Sequence, residues 1–336
     1  MGRRVLTRPA APLVLRRLGQ ALLTLAAGSI LVWSLVALAP GDPAVRVLAA
    51  NNVANPTAAQ VEAKRAELGL TGDPITRYGR WAAGAARGDL GDSWVTGRPV
   101  AQELGSRLPA TLRLTVAAVA LSLAFAVGLA VLAVSAAGRW PDAAVRLLST
   151  AVLVLPSFVV GLILLHVVVL RWGRFQVIAD GTWGTVGLPA LTLAAGTATA
   201  WSRVLRSGLL QARGAAYTEV ARARGAGRWR LLAVHEMPNA LLPFLTVVGT
   251  GTAALLGGAP IVETVFTWPG VGRFAVQAIG SRDLPVIQGC ALLAIVAFIL
   301  VSLLVDLVAV LLDPRVAEPT ASPPHRRTRR TRRART

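Results

Sequence analysis

Cysteine and histidine are nearly absent from this sequence, and their scarcity excludes several kinds of site. Cys290 is the only cysteine, so the chain cannot form an intrachain disulfide or a thiolate metal cluster. His166, His235 and His325 lie in separate segments, and no His-Glu-x-x-His or comparable spacing occurs. We therefore expect no metal site in this chain.

Charged residues are also few. They make up 15% of the 336 residues, whereas a soluble domain carries roughly 25%. With 54% hydrophobic residues, the chain lacks the polar surface to face water all round, which predicts a membrane protein. The net charge of +19 would suit a nucleic-acid binder. Here, however, the bases lie between apolar runs rather than on one polar domain, so we expect no nucleic-acid partner.

A nucleotide-binding motif is missing as well. A P-loop needs Gly-Lys followed by Ser or Thr, and the only lysine, Lys64, stands between Ala63 and Arg65. The stretch 249–254 matches Gly-x-Gly-x-x-Ala, but it lies inside an apolar run with no strand before it, so helix packing explains its glycines. We expect no cofactor in this chain, and any ATP and Mg²⁺ would be bound by partner subunits.

Long apolar runs are abundant, and about 20 residues suffice to cross a bilayer as a helix. The first run is too long for the core of a signal peptide and lacks an Ala-x-Ala break, so we expect it to be retained. The sequence therefore predicts an all-α polytopic membrane protein with six transmembrane helices. Their approximate bounds are 18–38, 112–136, 145–170 with a break at Pro156, 188–210, 240–260 and 285–312.

The distribution of arginine predicts the topology. Six spans place both tails and two of the loops on one side of the membrane. In chain order these four segments carry five, one, seven and eight bases, whereas the two short loops on the other side carry two each. Because positive charge stays in the cytoplasm, both termini and the segment 213–238 are predicted to be cytoplasmic. The loop 39–108, with a helix from Thr57 to Leu68 stopped by Gly69, is then extracytoplasmic, as is 261–284 with its turn at 268–272. Residues 1–17 form a cytoplasmic arm, and residues 313–336 form an Arg-rich tail predicted to be disordered and to attract anionic membrane lipid.

Two other classes of protein remain open from these residues. An intramembrane protease would need a Ser and a His on facing spans, and only His166 lies within a span. An ion-coupled secondary transporter would need buried acids, and Asp306 in the last span is one candidate. We expect His166 to have a packing role and Asp306 to pair with a neighbouring helix or cap.

The cytoplasmic segment has a pattern of its own. Tyr217, Val220 and Ala221 share one helix face, Gly225 and Gly227 break the helix, and a second apolar patch with Trp229 follows. Two short amphipathic helices joined by glycine predict a compact projection. Such a segment could lie on lipid or dock a partner.

The spacing of that segment resembles the EAA loop of importer-type ABC permeases. Glu219-Val220-Ala221 is followed by three residues, Gly225, nine residues, and then His235-Glu236-Met237-Pro238. Val220 in place of the first alanine of the motif and the Met237-Pro238 pair are mild departures.

Over residues 10 to 316 the chain further resembles the dipeptide/oligopeptide branch of that family. The ordered landmarks include Ala39-Pro40-Gly41-Asp42-Pro43, Arg87-Gly88-Asp89-Leu90-Gly91, Thr96-Gly97-Arg98-Pro99, Trp268-Pro269-Gly270-Val271-Gly272, Arg282-Asp283-Leu284-Pro285 and Leu312-Asp313-Pro314-Arg315.

The resemblance implies a type I ABC importer permease fold in the cell membrane. Its implied partners are a second permease subunit, two ATPase subunits and an extracytoplasmic solute-binding protein; the chain itself would be no enzyme. It implies di- or oligopeptides as solutes, although relatives carry nickel, glutathione, opines or oligosaccharides. The residues implied to couple to the ATPase are Tyr217, Glu219, Ala221, Gly225, Trp229, His235 and Pro238. Those implied to lie in loops facing the binding protein are Asp42, Asp89, Arg98, Glu263, Trp268 and Asp283.

Overall fold

The computed structural model describes residues 10–38, 41–50, 53, 55–173 and 178–312. The predicted arm up to residue 9 and the predicted disordered tail lie outside these residues. The described part is helical throughout its regular structure. Its helices are α1 (Ala10–Ala37), α2 (Pro43–Ala50), α3 (Ala58–Glu67), α4 (Pro74–Ala85), α5 (Val100–Ser135), α6 (Trp140–Val154), α7 (Ser157–Leu164, continued as a π-helix Leu165–Arg171), α8 (Gly187–Arg213), α9 (Ala216–Ala223), α10 (Arg228–Arg230, continued as a π-helix Leu231–Glu236), α11 (Met237–Val265), α12 (Val271–Ser281) and α13 (Leu284–Leu312).

Four of these helices are long and apolar enough to cross a membrane: α1, α5, α11 and α13. The third predicted span is not one straight helix, because α6 and α7 meet at an angle of 105°. Pro156 lies at that junction and disfavours helical geometry in the residue before it. The fourth predicted span corresponds to α8, which has 27 residues but carries Arg203, Arg206 and Arg213 in its second half.

Helix α8 is the centre of the bundle, packed between α5 and α11. Its middle is rich in small residues, of which Ala194 and Ala198 are buried. Trp201, Leu205 and Leu209 continue the same buried face. In lipid, small side chains permit the close backbone approach that helix association needs, which explains why the least apolar long helix is the inner one.

The predicted loop 39–108 contains three helices and the first turns of α5. Helix α3 begins at the predicted N-cap, where Thr57 and Gln60 form a reciprocal capping box. The sequence analysis did not identify α4, although Asp73 caps it and Pro74 occupies its first position. Helix α5 begins at Val100 rather than near residue 112, because Val100 and Leu104 pack against α12 and the start of α13.

The predicted loop 261–284 is also more ordered than its polar residues indicated. Helix α11 runs on to Val265, and residues 271–281 form the amphipathic helix α12. A chain reversal separates the two, with Thr267 in the left-handed region at φ 57°. The loop therefore forms a packed cover over one end of α5.

Candidate functional site

Residues 214–238, which we call the knob, project from the end of the bundle between α8 and α11. Helix α9 is closed at Gly225, whose φ of +83° lies in the region that favours glycine. The amides of Gly225 and Ala226 donate to the carbonyls of Arg222 and Ala221 at 3.0 and 3.1 Å and so close the helix end. The chain then returns through α10 into α11, as the two-helix prediction required.

The base of the knob is held by an ion pair whose carboxylate is buried. Both carboxylate oxygens of Glu236 accept hydrogen bonds from the Arg213 guanidinium at 3.1 Å, and the Glu236 side chain is only 2% exposed. Arg213 also donates to the carbonyl oxygen of Val134 at 2.8 Å. One guanidinium thus joins the ends of α5 and α8 to the residue that precedes α11.

Helix α9 has an anchor of its own. Thr218 is fully buried, and its hydroxyl donates to the carbonyl oxygen of Ala212 at 2.7 Å. Leu231 and Leu232 are buried below the second half of the knob. The sequence analysis missed Thr218, Arg213 and Glu236. The available signal was an acidic residue directly before Met237-Pro238 in a segment otherwise rich in arginine.

The tip of the knob exposes apolar side chains. Tyr217, Val220 and Trp229 are 44%, 51% and 64% exposed. Among the other predicted coupling residues, Glu219, Gly225 and Pro238 are exposed, whereas Ala221 and His235 are half-buried. Four arginines of the knob are exposed as well: Arg222, Arg224, Arg228 and Arg230. Exposed apolar side chains with charged residues nearby in the chain are typical of a protein–protein contact surface.

At the opposite end of the bundle, which we call the closed end, buried side chains form hydrogen bonds within the chain. Glu263 is fully buried, and its carboxylate accepts from the Thr111 hydroxyl and the Arg273 amide, each at 2.8 Å. The buried Trp268 donates through its indole nitrogen to the carbonyl oxygen of Ala110 at 3.0 Å. A β-carbon on Gly270 would lie 2.3 Å from the Glu263 carboxylate, so the turn fits around that group only with glycine.

Three residues of the loops predicted to face a binding protein are buried at this end. The side chains of Glu263, Trp268 and Asp283 lie inside the chain. Asp283 accepts from the Ser93 hydroxyl and from the Trp94 amide at 3.1 Å, which ties the loop after α4 to the start of α13. The physical reason is that these polar groups find their partners in α5, in α12 and in the loop before α5 rather than in solvent.

The other three residues of that set lie nearer the surface. Arg98 and Asp89 are exposed. Asp42 pairs with Arg65 at 2.6 Å and also accepts from the Ala44 amide at 2.9 Å at the start of α2. Hydrogen bonds and the charge of Asp42 raise the pKa of Arg65. Asp42, Arg65 and Asp89 line a cleft of about 1120 Å³ at this end of the bundle.

Two residues, His166 and Asp306, were considered above for protease or ion-coupled chemistry. His166 lies in the π-helix after α7, exposed on the outside of the bundle rather than facing a neighbouring span. Asp306 lies in α13, but its side chain is outside the described part of the chain. Within the described residues, no group of three or more His, Cys, Asp or Glu side chains is arranged to hold a metal ion.

The fold and the knob define a polytopic helical membrane protein with a projecting contact surface at one end. Comparison with known proteins identifies its class. The family described as "Binding-protein-dependent transport system inner membrane component" matches residues 124–318. Glutathione transport system permease protein GsiC of Escherichia coli O6:H1 (strain CFT073) is 34% identical over 303 residues, covering 90% of this chain and 98% of that protein. GsiC of Salmonella paratyphi A is 34% identical over 305 residues, with the same coverage.

A solved structure supports the fold. The protein described as "Crystal structure of an amino acid ABC transporter with histidines" superimposes with a TM-score of 0.51 at 19% identity, covering 62% of this chain and 93% of that one. The chain therefore belongs to the binding-protein-dependent inner-membrane permease family. It is a multi-pass cell-membrane protein and the permease subunit of an ABC importer.

Proposed function

We propose that this permease passes small peptides, delivered by an extracytoplasmic solute-binding protein, when a cytoplasmic ATPase pushes on the knob. The observation that carries the proposal is the contrast within the knob itself. Its base is anchored by Glu236 and Thr218, and its tip exposes Tyr217, Val220 and Trp229. A rigid base with an apolar tip transmits displacement from a bound partner into α5, α8 and α11.

The chemistry of the tip indicates what its partner presents. The four exposed arginines stand against one exposed acid, Glu219, so a matching groove on the ATPase would be apolar at its centre and acidic at its rim. In this arrangement ATP and Mg²⁺ are bound by the partner subunits. A second permease subunit completes the membrane-spanning unit.

The proposed solute class draws on the relatives. Two of them are named as glutathione transport permeases, and glutathione is a tripeptide built on amide bonds. Small peptides, with glutathione among them, therefore fit better than nickel or an oligosaccharide. Uptake of radiolabelled tripeptides by the reconstituted importer, with ATP inside or absent, tests this class directly.

Gly225 provides the test of the docking role. Gly225→Pro cannot adopt a φ of +83° and loses the amide that bonds to Arg222, so we expect ATP-dependent uptake to be abolished while the protein still inserts. Gly227→Pro is the matched control, because Gly227 already has a φ of −68°. Gly225→Asn should retain most of the uptake, since Asn tolerates left-handed geometry.

Three results would contradict this assignment. Wild-type uptake rates in Gly225→Pro would remove the knob from the coupling path. Uptake driven by an ion gradient in vesicles without ATPase would indicate a secondary transporter. Binding of the isolated permease knob to lipid, with unchanged ATPase co-purification after Tyr217→Ala and Trp229→Ala, would favour an interfacial segment.

A further inference from the structure

Helix α4 is attached to α1 by a small group of aromatic and polar side chains. The hydroxyls of Tyr78 and Ser29 lie 2.9 Å apart and share a hydrogen bond. The Tyr78 ring also packs edge-on against Trp33, with ring centroids 5.8 Å apart. The Arg77 guanidinium lies 5.9 Å from the centre of the same Trp33 ring. These residues lie outside the knob and outside the closed end, so they form a separate feature of the molecule.

The contact with Ser29 sets the depth of α4 in the membrane. The apolar part of α1 that is able to cross a bilayer ends at Leu35. At 1.5 Å per residue, Ser29 lies about 9 Å inside that end and Trp33 about 3 Å inside it. Because a single tyrosine side chain reaches from α4 to Ser29, α4 lies beside the last turns of the span rather than above them. This is the depth at which the hydrocarbon of a bilayer gives way to the headgroups.

The same contacts set the rotation of α4 about its own axis. Arg77 lies over Trp33, whereas the Tyr78 hydroxyl reaches one turn deeper along α1. Since successive residues of a helix are turned by about 100°, Ile75 follows Tyr78 on the deep side and Arg80 follows Arg77 on the shallow side. Both side chains are exposed, Ile75 by 79%. The deep edge of α4 is therefore apolar, and its shallow edge is basic.

The surroundings of α4 favour lipid on these two edges. On α1, Leu22, Ile30, Leu31 and Leu35 are exposed large apolar side chains. Helix α4 contains two arginines and no acidic residue, and neither arginine forms an ion pair within the described part of the chain. Tryptophan and tyrosine are enriched at the interface between membrane and water. A helix with one apolar edge, one basic edge and aromatic residues between them is typical of a segment that lies in that interface.

We propose that α4 is an interfacial helix, seated in the membrane leaflet at the Leu35 end of α1. Ile75 lies among the acyl chains, and Arg77 and Arg80 contact lipid phosphates. The arginine distribution predicts that this is the outer leaflet. The partner is a lipid surface, because a soluble binding protein stays outside the headgroups and Ile75 lies inside them. The proposal is independent of which solute the permease passes.

The accessibility of nitroxide labels tests this seat. In a Cys290→Ala background, Ile75→Cys and Arg80→Cys place labels on the two edges of α4. We use the complete importer in lipid nanodiscs and measure relaxation by oxygen, which concentrates in lipid, and by the water-soluble nickel complex NiEDDA. The label at Ile75→Cys should respond more to oxygen, as should one at Leu22→Cys within the span of α1. The label at Arg80→Cys should respond more to nickel, as should one at the exposed Ala59→Cys on α3.

Two results from these labels would overturn the proposal. If nickel relaxes the label at Ile75→Cys as strongly as the one at Ala59→Cys, α4 stands in water. If neither reagent reaches the label at Ile75→Cys, protein covers this edge. Protection that appears only when the solute-binding protein is added would identify α4 as a docking face for that protein instead of a lipid contact.

The basic edge has a test of its own. A fluorophore at the exposed Ala83→Cys on α4 is quenched by spin-labelled lipids in its neighbourhood. Phosphatidylglycerol carries a phosphate with no cation beside it, whereas choline neutralises the phosphate of phosphatidylcholine. From the contribution of one arginine near an anionic surface, Arg80→Gln should lower the preference for phosphatidylglycerol by about fivefold. Arg80→Lys keeps the charge and should keep the preference. An unchanged preference in Arg80→Gln would show that this edge does not reach the headgroups and would refute the proposed seat.

Discussion

The two ends of this permease treat their polar and apolar groups in opposite ways. At the end formed by residues 89–113 and 263–283, Glu263, Asp283 and Trp268 are buried and bonded within the chain. At the knob end, Trp229 and Val220 are left exposed, although both are large and apolar. The buried polar groups of the first end stabilise its own loops, whereas the exposed apolar side chains of the knob are available to a partner.

The largest expected effect on the free energy of unfolding is at the base of the knob. Glu236→Ala leaves the Arg213 guanidinium without its carboxylate. Because Arg213 is one-third exposed, we expect a loss of about 3 kcal/mol, at the low end of the cost of breaking a buried ion pair. Glu219→Ala is the control, because that exposed acid should change stability by less than about 0.5 kcal/mol. Equilibrium unfolding in mixed micelles measures both. Equal destabilisation would mean that the base is not anchored by this pair.

At the closed end we expect a smaller loss of stability, and its cause is steric. Gly270→Ala forces a β-carbon to within 2.3 Å of the Glu263 carboxylate, and such overpacking costs about 1–3 kcal/mol. Gly257→Ala lies in the same helix as Glu263 and has nothing within 4 Å, so it should be tolerated. The same unfolding assay distinguishes them. An unperturbed Gly270→Ala protein would show that the turn is loosely packed.

Local signals predicted much of the fold, and long-range pairs explain what they missed. Gly225 and the Thr57 cap could be predicted because their chemistry is contained within four or five residues. Glu236 and Arg213 are 23 residues apart, and Glu263 and Thr111 are 152 apart, so no spacing rule joins them. Polar residues in 261–284 therefore predicted a loop, although Glu263, Trp268 and Asp283 are buried by partners in α5 and in the loop before it.

At the tip of the knob we expect the opposite of the first two variants: a loss of binding to the ATPase with little change in stability. Trp229→Ala removes a side chain that is 64% exposed, so the stability of the permease should change by less than about 0.5 kcal/mol. Its free energy of binding to the ATPase should weaken by about 2 kcal/mol, as expected when an aromatic residue is removed from the centre of an interface. Co-purification titrations give the affinity. Ile75→Ala, equally apolar and 79% exposed on α4, is the control and should leave that affinity unchanged.

The smallest effect concerns the loop 178–186 at the closed end. Hydrogen bonds from the Thr185 hydroxyl and from Thr182 lower the pKa of Asp180 from 3.8 to about 2. Because the folded-state pKa is lowered, the stabilisation is present above pH 3.8 and is lost as the pH falls towards 2. Amide exchange in this loop should therefore differ between wild type and Asp180→Asn at pH 5 and above, by roughly a few-fold for an exposed group. The difference should vanish near pH 2, and a difference that persists there would mean that ionisation of the Asp180 carboxyl group is not its cause.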